Sequence, residues 1–263
     1  RERVLGSANI SATDQQLQEM LALSEQAMQD GAWGMSTGLI YVPSSYAPTE
    51  ELIAIAEIVA AHGGLYASHI RGEGTMLLKS VEEALHIGRE AELPVHVSHF
   101  KSSWRDAWGL VREAARMIDT ERQAGRDVTA DKYPYIASST SLGATQQPGS
   151  ARAGGTQELI KRLDDPKTGP GLRTLIAKAI VQRDNGSAVR IARYSLRRKW
   201  VGRCLSVIAC SEDRPAVEIA EEIMRGGGAS LVNFSMSEDD VRHILAIDWV
   251  ATASDGRAYL PGS

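Results

Sequence analysis

The 263-residue sequence has few cysteines, no excess of basic charge and no long apolar run. Its two cysteines, Cys204 and Cys210, lie in a β-like run, and their number and spacing exclude a dense disulfide framework and a zinc finger. The net charge of -4 offers no positive field to phosphate backbones, so we expect no nucleic-acid partner. No apolar run approaches the roughly 20 residues of a membrane span, and the first three residues lack an apolar signal core. These absences favour a cytoplasmic protein that acts on a small molecule and does not bind membranes.

The hydrophobic content of 43% is sufficient for one large α/β barrel or for two modest domains. Apolar residues recur at helical spacing in several segments, and short β-branched segments lie between them. This alternation of strand and helix predicts a parallel sheet, either doubly wound or closed as a barrel. The predicted helices span 12–29, 49–61, 75–90 and 107–123, and the predicted strands span 65–70, 94–100 and 127–135.

A polar, glycine-rich stretch at about 140–190 interrupts this alternation, and we interpret it as an insertion. Short helices are predicted within it at 157–163 and 172–182. The barrel pattern is then expected to resume, with a strand at 230–234 and a last strand at 249–254. The whole chain, 1–263, is therefore predicted to be a single barrel domain that carries one insertion.

Two histidines end predicted strands, where parallel α/β folds place their chemistry. His69 ends one strand and His99 ends the next, so both imidazoles are expected at one opening as metal ligands. Strand alternation places His99 and Lys101 on the face of Val97 and turns His96 toward the helices. A single strand histidine is more often a hydrogen-bonded core residue, but two at equivalent strand ends favour a metal site.

Asp255 terminates the last predicted strand, in Ala253-Ser254-Asp255-Gly256. A carboxylate at this position can ligate a metal or accept a proton from a water molecule. A turn-forming Asp-Gly pair explains the residue equally well from the sequence alone.

Five motifs resemble the N-acyl-D-amino-acid deacylase (D-aminoacylase) family of the amidohydrolase superfamily in order and spacing. The resemblance runs nearly from end to end and is looser from about 149 to 203. The motifs are GAWGMSTGLIY at 31–41, LYASHIR at 65–71, VSHFK at 97–101, DKYPY at 131–135 and SDG at 254–256.

This resemblance implies a (β/α)8 TIM barrel that uses Zn²⁺ to hydrolyse N-acyl-D-amino acids to a carboxylate and a D-amino acid. The zinc lowers the pKa of a water molecule, and Asp255, which also contacts the metal, accepts its proton. By the same resemblance, His69 and His99 are zinc ligands, Lys101, Tyr133 and Ser139 surround the substrate carboxylate, and Met236 lines the side-chain pocket.

Two parts of the family pattern are absent, namely the His-x-His pair of the first barrel strand and an upstream zinc-ligating cysteine. We therefore expect an incomplete barrel that lacks its first strands and the small β domain. Its exposed sheet edges predict self-association, and the isolated chain is expected to be inactive or nearly so.

Two other interpretations stay open at this point. A cyclic-amide amidohydrolase, similar to dihydroorotases or hydantoinases, has the same barrel and the same two histidines, but uses a carboxylated lysine that this sequence does not place before His69. A non-catalytic barrel fragment would keep the histidines without binding zinc.

Overall fold

A computed structural model describes residues 1–142 and 155–256. The glycine-rich part of the predicted insertion, at 146–149, lies outside these residues. The helices are α1 Glu2–Leu5, α2 Asp14–Gln29, α3 Thr49–Ala61, α4 Leu77–Glu90, α5 Leu110–Gln123, α6 Gly155–Asp164, α7 Gly169–Val181, α8 Leu205–Glu212, α9 Ala216–Arg225 and α10 Glu238–Leu245. The strands are β1 Gly34–Gly38, β2 Leu65–His69, β3 Val95–Val97, β4 Val128–Lys132, β5 Ala137–Ser141, β6 Val189–Arg193, β7 Ser230–Phe234 and β8 Val250–Thr252.

The chain divides into two compact units, each with its own sheet. The parallel-sheet unit comprises 17–39, 48–135 and 236–263, and the antiparallel-sheet unit comprises 1–16, 40–47 and 136–235.

The parallel-sheet unit contains five strands in the order β1-β2-β3-β4-β8, and every neighbouring pair is parallel. Neighbouring strands of the sheet come in chain order, as they do in a (β/α)8 barrel. In a doubly wound sheet, the strand order reverses direction within the sheet. The carboxyl ends of all five strands therefore lie along one edge of the sheet. Within the described residues the sheet stays open, which agrees with the expectation of an incomplete barrel.

Strand β1 was not predicted from the sequence, because Gly34–Gly38 reads GMSTG, which has no apolar alternation and only one β-branched residue, Thr37. Packing requires glycine at position 34, because a Cβ atom on Gly34 would lie 2.1 Å from the Leu65 carbonyl oxygen. The close approach of β1 to β2 therefore depends on the missing side chain.

Helices α3, α4 and α5 connect the successive parallel strands and pack against one another along the sheet. Helix α4 turns its buried stripe, which includes Val81, Ala84 and Gly88, toward the sheet. A Cβ atom on Gly88 would lie 2.3 Å from Val95 Cγ2, so Val95 points at this helix. This contact identifies the helix-facing side of β3.

The antiparallel-sheet unit contains three strands in the order β5-β7-β6. Strand β7, Ser230–Phe234, was predicted to continue the barrel, and that prediction was wrong, since β7 pairs with β5 and β6 instead. The segment around Cys204 and Cys210 was also misjudged, because Leu205–Glu212 is a helix that buries Leu205 and Ile208. Both cysteines are free thiols.

None of the helices in the described part of the chain is long and apolar enough to cross a lipid bilayer.

Candidate metal centre

His69 and His99 lie together at the carboxyl ends of neighbouring strands. His69 is the last residue of β2, and His99 follows the end of β3 by two residues. Their ring centroids are 4.3 Å apart with the rings nearly perpendicular, at 80°. The sequence thus correctly placed the two imidazoles at one opening; their role as ligands stays a prediction.

A third group, Glu73, joins them and was not foreseen from the sequence. Its Oε1 lies 3.2 Å from His99 Nδ1 and 3.8 Å from a His69 ring nitrogen. The ligand atoms of the three residues all lie within 4.8 Å of one another. Glu73 sits between Gly72 and Gly74 in the loop that follows β2, and an acidic residue in a glycine-flanked loop after a strand-end histidine was the available signal.

The ammonium of Lys101 lies next to two of these possible metal ligands, Glu73 and His99. Its Nζ lies 2.5 Å from Glu73 Oε1, 2.9 Å from His99 Nδ1 and 2.9 Å from the His99 carbonyl oxygen. The side chain is only 4% exposed, so this is a desolvated ion pair. The carboxylate and the imidazole therefore already surround a positive charge.

The charge states of the cluster suit a divalent cation. Burial lowers the pKa of His69 to about 4, so its imidazole is neutral at pH 7 and its lone pair can bind a metal. Burial alone would raise the pKa of Glu73, but the charge of Lys101 and a hydrogen bond with His99 lower it below its ordinary value. Glu73 is therefore a carboxylate at neutral pH.

Two imidazoles and one carboxylate are a nitrogen and oxygen donor set that zinc accepts. Donor atoms on a tetrahedral zinc with bonds of about 2.1 Å lie about 3.4 Å apart. The ligand atoms of the three residues lie within 4.8 Å of one another, and the Lys101 ammonium contacts two of them, so zinc binding requires the three side chains to move closer and Lys101 to move aside. In donor chemistry His69, Glu73 and His99 fit the metal.

The predicted faces of β3 are reversed. Val95 points at α4, so His96 lies on the opposite side of the sheet and not toward the helices. There its ring nitrogens lie 2.9 Å from Thr129 Oγ1 and 2.8 Å from Asp131 Oδ2. Strand β3 also ends at Val97, so strand alternation does not extend to His99. Val95 and Val97 are buried and His96 is partly buried, so the strand is too short and too enclosed for periodicity alone to show which side the helices cover.

Three residues predicted around the substrate lie next to one another. Tyr133 is buried, with Lys101 Nζ 5.5 Å from its ring centroid, and Met236 packs in the same small apolar cluster. The Lys132 ammonium lies between them, 3.8 Å from the Tyr133 ring centroid and 3.0 Å from Met236 Sδ. The structure thus brings Lys101, Tyr133 and Met236 together.

Asp255 and Ser139 are exposed, unlike the buried residues of this cluster. Asp255 is exposed, follows β8 and has a left-handed backbone with φ of 47°. Burial lowers the pKa of Lys132, and the charge of Asp255 is close enough to oppose a small part of that fall. Ser139 is an exposed residue of β5 in the antiparallel-sheet unit, where it pairs with Val232.

Sequential parallel strands with histidines and a carboxylate at their carboxyl ends define a class, the barrel-type amidohydrolases that bind metals at this edge. Comparison with known proteins finds similar chains within this class, although no family model matches the chain. The chain is 32% identical to D-aminoacylase of Alcaligenes xylosoxydans xylosoxydans over 256 residues, which are 97% of the chain and 45% of that enzyme.

Solved structures agree with this comparison. A D-aminoacylase crystal structure, described as defining a novel subset of amidohydrolases, superimposes with a TM-score of 0.73 at 30% identity, over 96% of this chain and 45% of its own. N-acyl-D-glutamate deacylase from Bordetella bronchiseptica, solved with zinc and a phosphonate that mimics the tetrahedral intermediate, gives 0.74 at 28% identity, over 94% and 44%.

The chain is therefore similar, over nearly its whole length, to N-acyl-D-amino-acid deacylases of the amidohydrolase superfamily. The resemblance and the fold class predicted from the sequence are confirmed. The chain spans about half the length of the relatives that it matches.

Proposed function

We propose that the full-length protein containing this chain hydrolyses the amide bond of N-acyl-D-amino acids, and that His69 and His99 bind its zinc ion. The observation that carries this proposal is the meeting of two imidazoles and Glu73 at the carboxyl ends of β2 and β3 in a chain similar to deacylases throughout. When bound, zinc supplies Lewis-acid activation of water and of the amide carbonyl.

We propose Asp255 as the group that accepts and returns the proton. Strand β8, which precedes it, pairs with β4, so Asp255 follows a strand that ends on the same sheet edge as β2 and β3. An exposed carboxylate at this edge can take a proton from water and pass it to the leaving amine. The turn at Asp255, with its positive φ, sets the direction of the side chain.

Lys101 and Tyr133 are proposed to bind the substrate carboxylate, with Ser139 as a further contact and Met236 beside the side chain of the amino acid. Lys101 is a buried ammonium beside the Tyr133 ring, and a carboxylate is the partner that such a group prefers. A cytoplasmic location is part of the proposal and is supported by the two free thiols.

The test uses the full-length protein, purified and loaded with zinc, on paired N-acetyl-D- and N-acetyl-L-amino acids. We expect hydrolysis of the D substrates, and loss of at least about a thousandfold in kcat/KM for His69→Ala, because a metal ligand is removed. His86→Ala is the matched control, since His86 lies on the surface of α4 with its side chain 44% exposed. Preference for hydantoin or for L substrates, or full activity of His69→Ala, would overturn the proposal.

A further inference from the structure

Asp131 contacts two histidines, His96 in β3 and His99 in the turn that follows β3. Its Oδ1 accepts a hydrogen bond of 2.7 Å from the backbone N–H of His99, and its Oδ2 lies 2.8 Å from His96 Nε2. The other ring nitrogen of His96 lies 2.9 Å from Thr129 Oγ1. One carboxylate on β4 thus ties together the backbone of a proposed metal ligand and the ring of its neighbour.

The backbone of His99 needs such a tie. Its φ is 39°, in the left-handed region that side chains other than glycine seldom adopt and that costs about 1 kcal/mol or more. The neighbouring N–H groups are fixed as well, since Ser98 donates to the Ser68 carbonyl at 2.9 Å and Phe100 donates to the Asp131 carbonyl at 2.8 Å. The direction of the His99 ring follows from this turn.

We propose that Asp131, oriented by His96, is a positioning residue that keeps His99 in the conformation in which its imidazole meets the metal. The two oxygens of Asp131 contact different partners, so the carboxylate cannot rotate without losing one of these two hydrogen bonds. This inference deepens the proposed function and rests on it for the identity of the metal.

His96 and Asp131 are partly exposed, so a positioning role can be tested separately from a role in core packing. The side chains of His96 and Asp131 are 27% and 22% exposed, on the side of β3 away from α4. Partly exposed polar pairs contribute little to overall stability, on the order of 1 kcal/mol. Their removal is therefore expected to change metal affinity more than folding.

The experiment measures zinc affinity of the full-length protein by competition with a chelator, together with the melting temperature of the metal-free protein. We expect Asp131→Ala to weaken zinc binding about 10- to 100-fold, the range found when partners that orient metal ligands are removed. Asp131→Asn keeps an oxygen for the His99 N–H and is expected to recover most of the affinity. Asp127→Ala, an exposed carboxylate before the same strand, is the matched control.

Zinc affinity of Asp131→Ala within twofold of wild type would overturn the proposal. If Asp131→Ala does not fold, His96→Ala tests the same pair, and unchanged affinity in that variant overturns the proposal equally. A wild type that binds zinc but does not cleave N-acyl-D-amino acids contradicts the proposed function alone. A wild type that binds no zinc contradicts both.

Discussion

Lys132 is completely buried, and its ammonium contacts a thioether and an aromatic ring. In the described part of the chain it forms no ion pair, and buried ammonium groups without a carboxylate partner are costly. Burial is the main cause that lowers its pKa to about 7, and the charge of Lys101 lowers it further. Replacing Lys132 by methionine removes the charge and nearly keeps the length of the side chain.

The sign of the effect follows from the two pKa values of this lysine, about 7 in the folded protein and 10.5 in the unfolded chain, where the side chain is fully hydrated. At pH values between these two pKa values, the unfolded chain binds more protons than the folded protein. Burial of Lys132 therefore lowers the free energy of unfolding most at low pH, and this cost falls as the pH rises. At 1.36 kcal/mol per pKa unit, the cost is about 4 kcal/mol at pH 7 and about 2 kcal/mol at pH 9.

We therefore expect Lys132→Met to be more stable than wild type at pH 7, with an advantage that shrinks by about 2 kcal/mol at pH 9. The assay is denaturant unfolding of both proteins at the two pH values with a chelator present. Lys79→Met, on the exposed surface of α4, is the control and is expected to show no such change. An advantage that is equal at both pH values, or a variant less stable than wild type at pH 7, would refute the reasoning.

Two packing predictions concern the same parallel-sheet unit. Gly88→Ala places a methyl group 2.3 Å from Val95 Cγ2, and we expect its free energy of unfolding to fall by about 1–3 kcal/mol in denaturant unfolding. The control is Glu90→Ala on the exposed end of α4. Equal stability of the two variants would contradict the contact. Buried Asp240 accepts hydrogen bonds from Ser102 Oγ at 2.7 Å and the Gly109 N–H at 2.8 Å. Asp240→Ala leaves both donors unpaired and is expected to cost about 2–4 kcal/mol in the same assay, and a loss below about 0.5 kcal/mol would show that water replaces the carboxylate.

The helices were the most predictable part of the fold. The segment 49–61 was predicted and is observed as Thr49–Ala61, because its periodic apolar face and acidic first turn agree with each other. Strand β1 and helix α8 were not predictable in this way. Close backbone approach determines the first, and burial of Leu205 and Ile208 on the core of the antiparallel-sheet unit determines the second.

The candidate site was predictable where it depends on strand ends and not where it depends on loops. His69 and His99 were found because parallel strands bring their carboxyl ends to one edge. Glu73 was missed because it lies in the irregular loop after β2, where no periodicity encodes the direction of a side chain. His96 was assigned to the wrong face because alternation gives two sides without saying which one the helices cover.

The most direct test of the account is the position of zinc in a crystal of the full-length protein, determined by anomalous scattering at the zinc edge. The account predicts a peak about 2.1 Å from a ring nitrogen of His69 and of His99, on the side of the sheet edge where Glu73 lies. Zinc bound only elsewhere, or no peak in active protein, would contradict it.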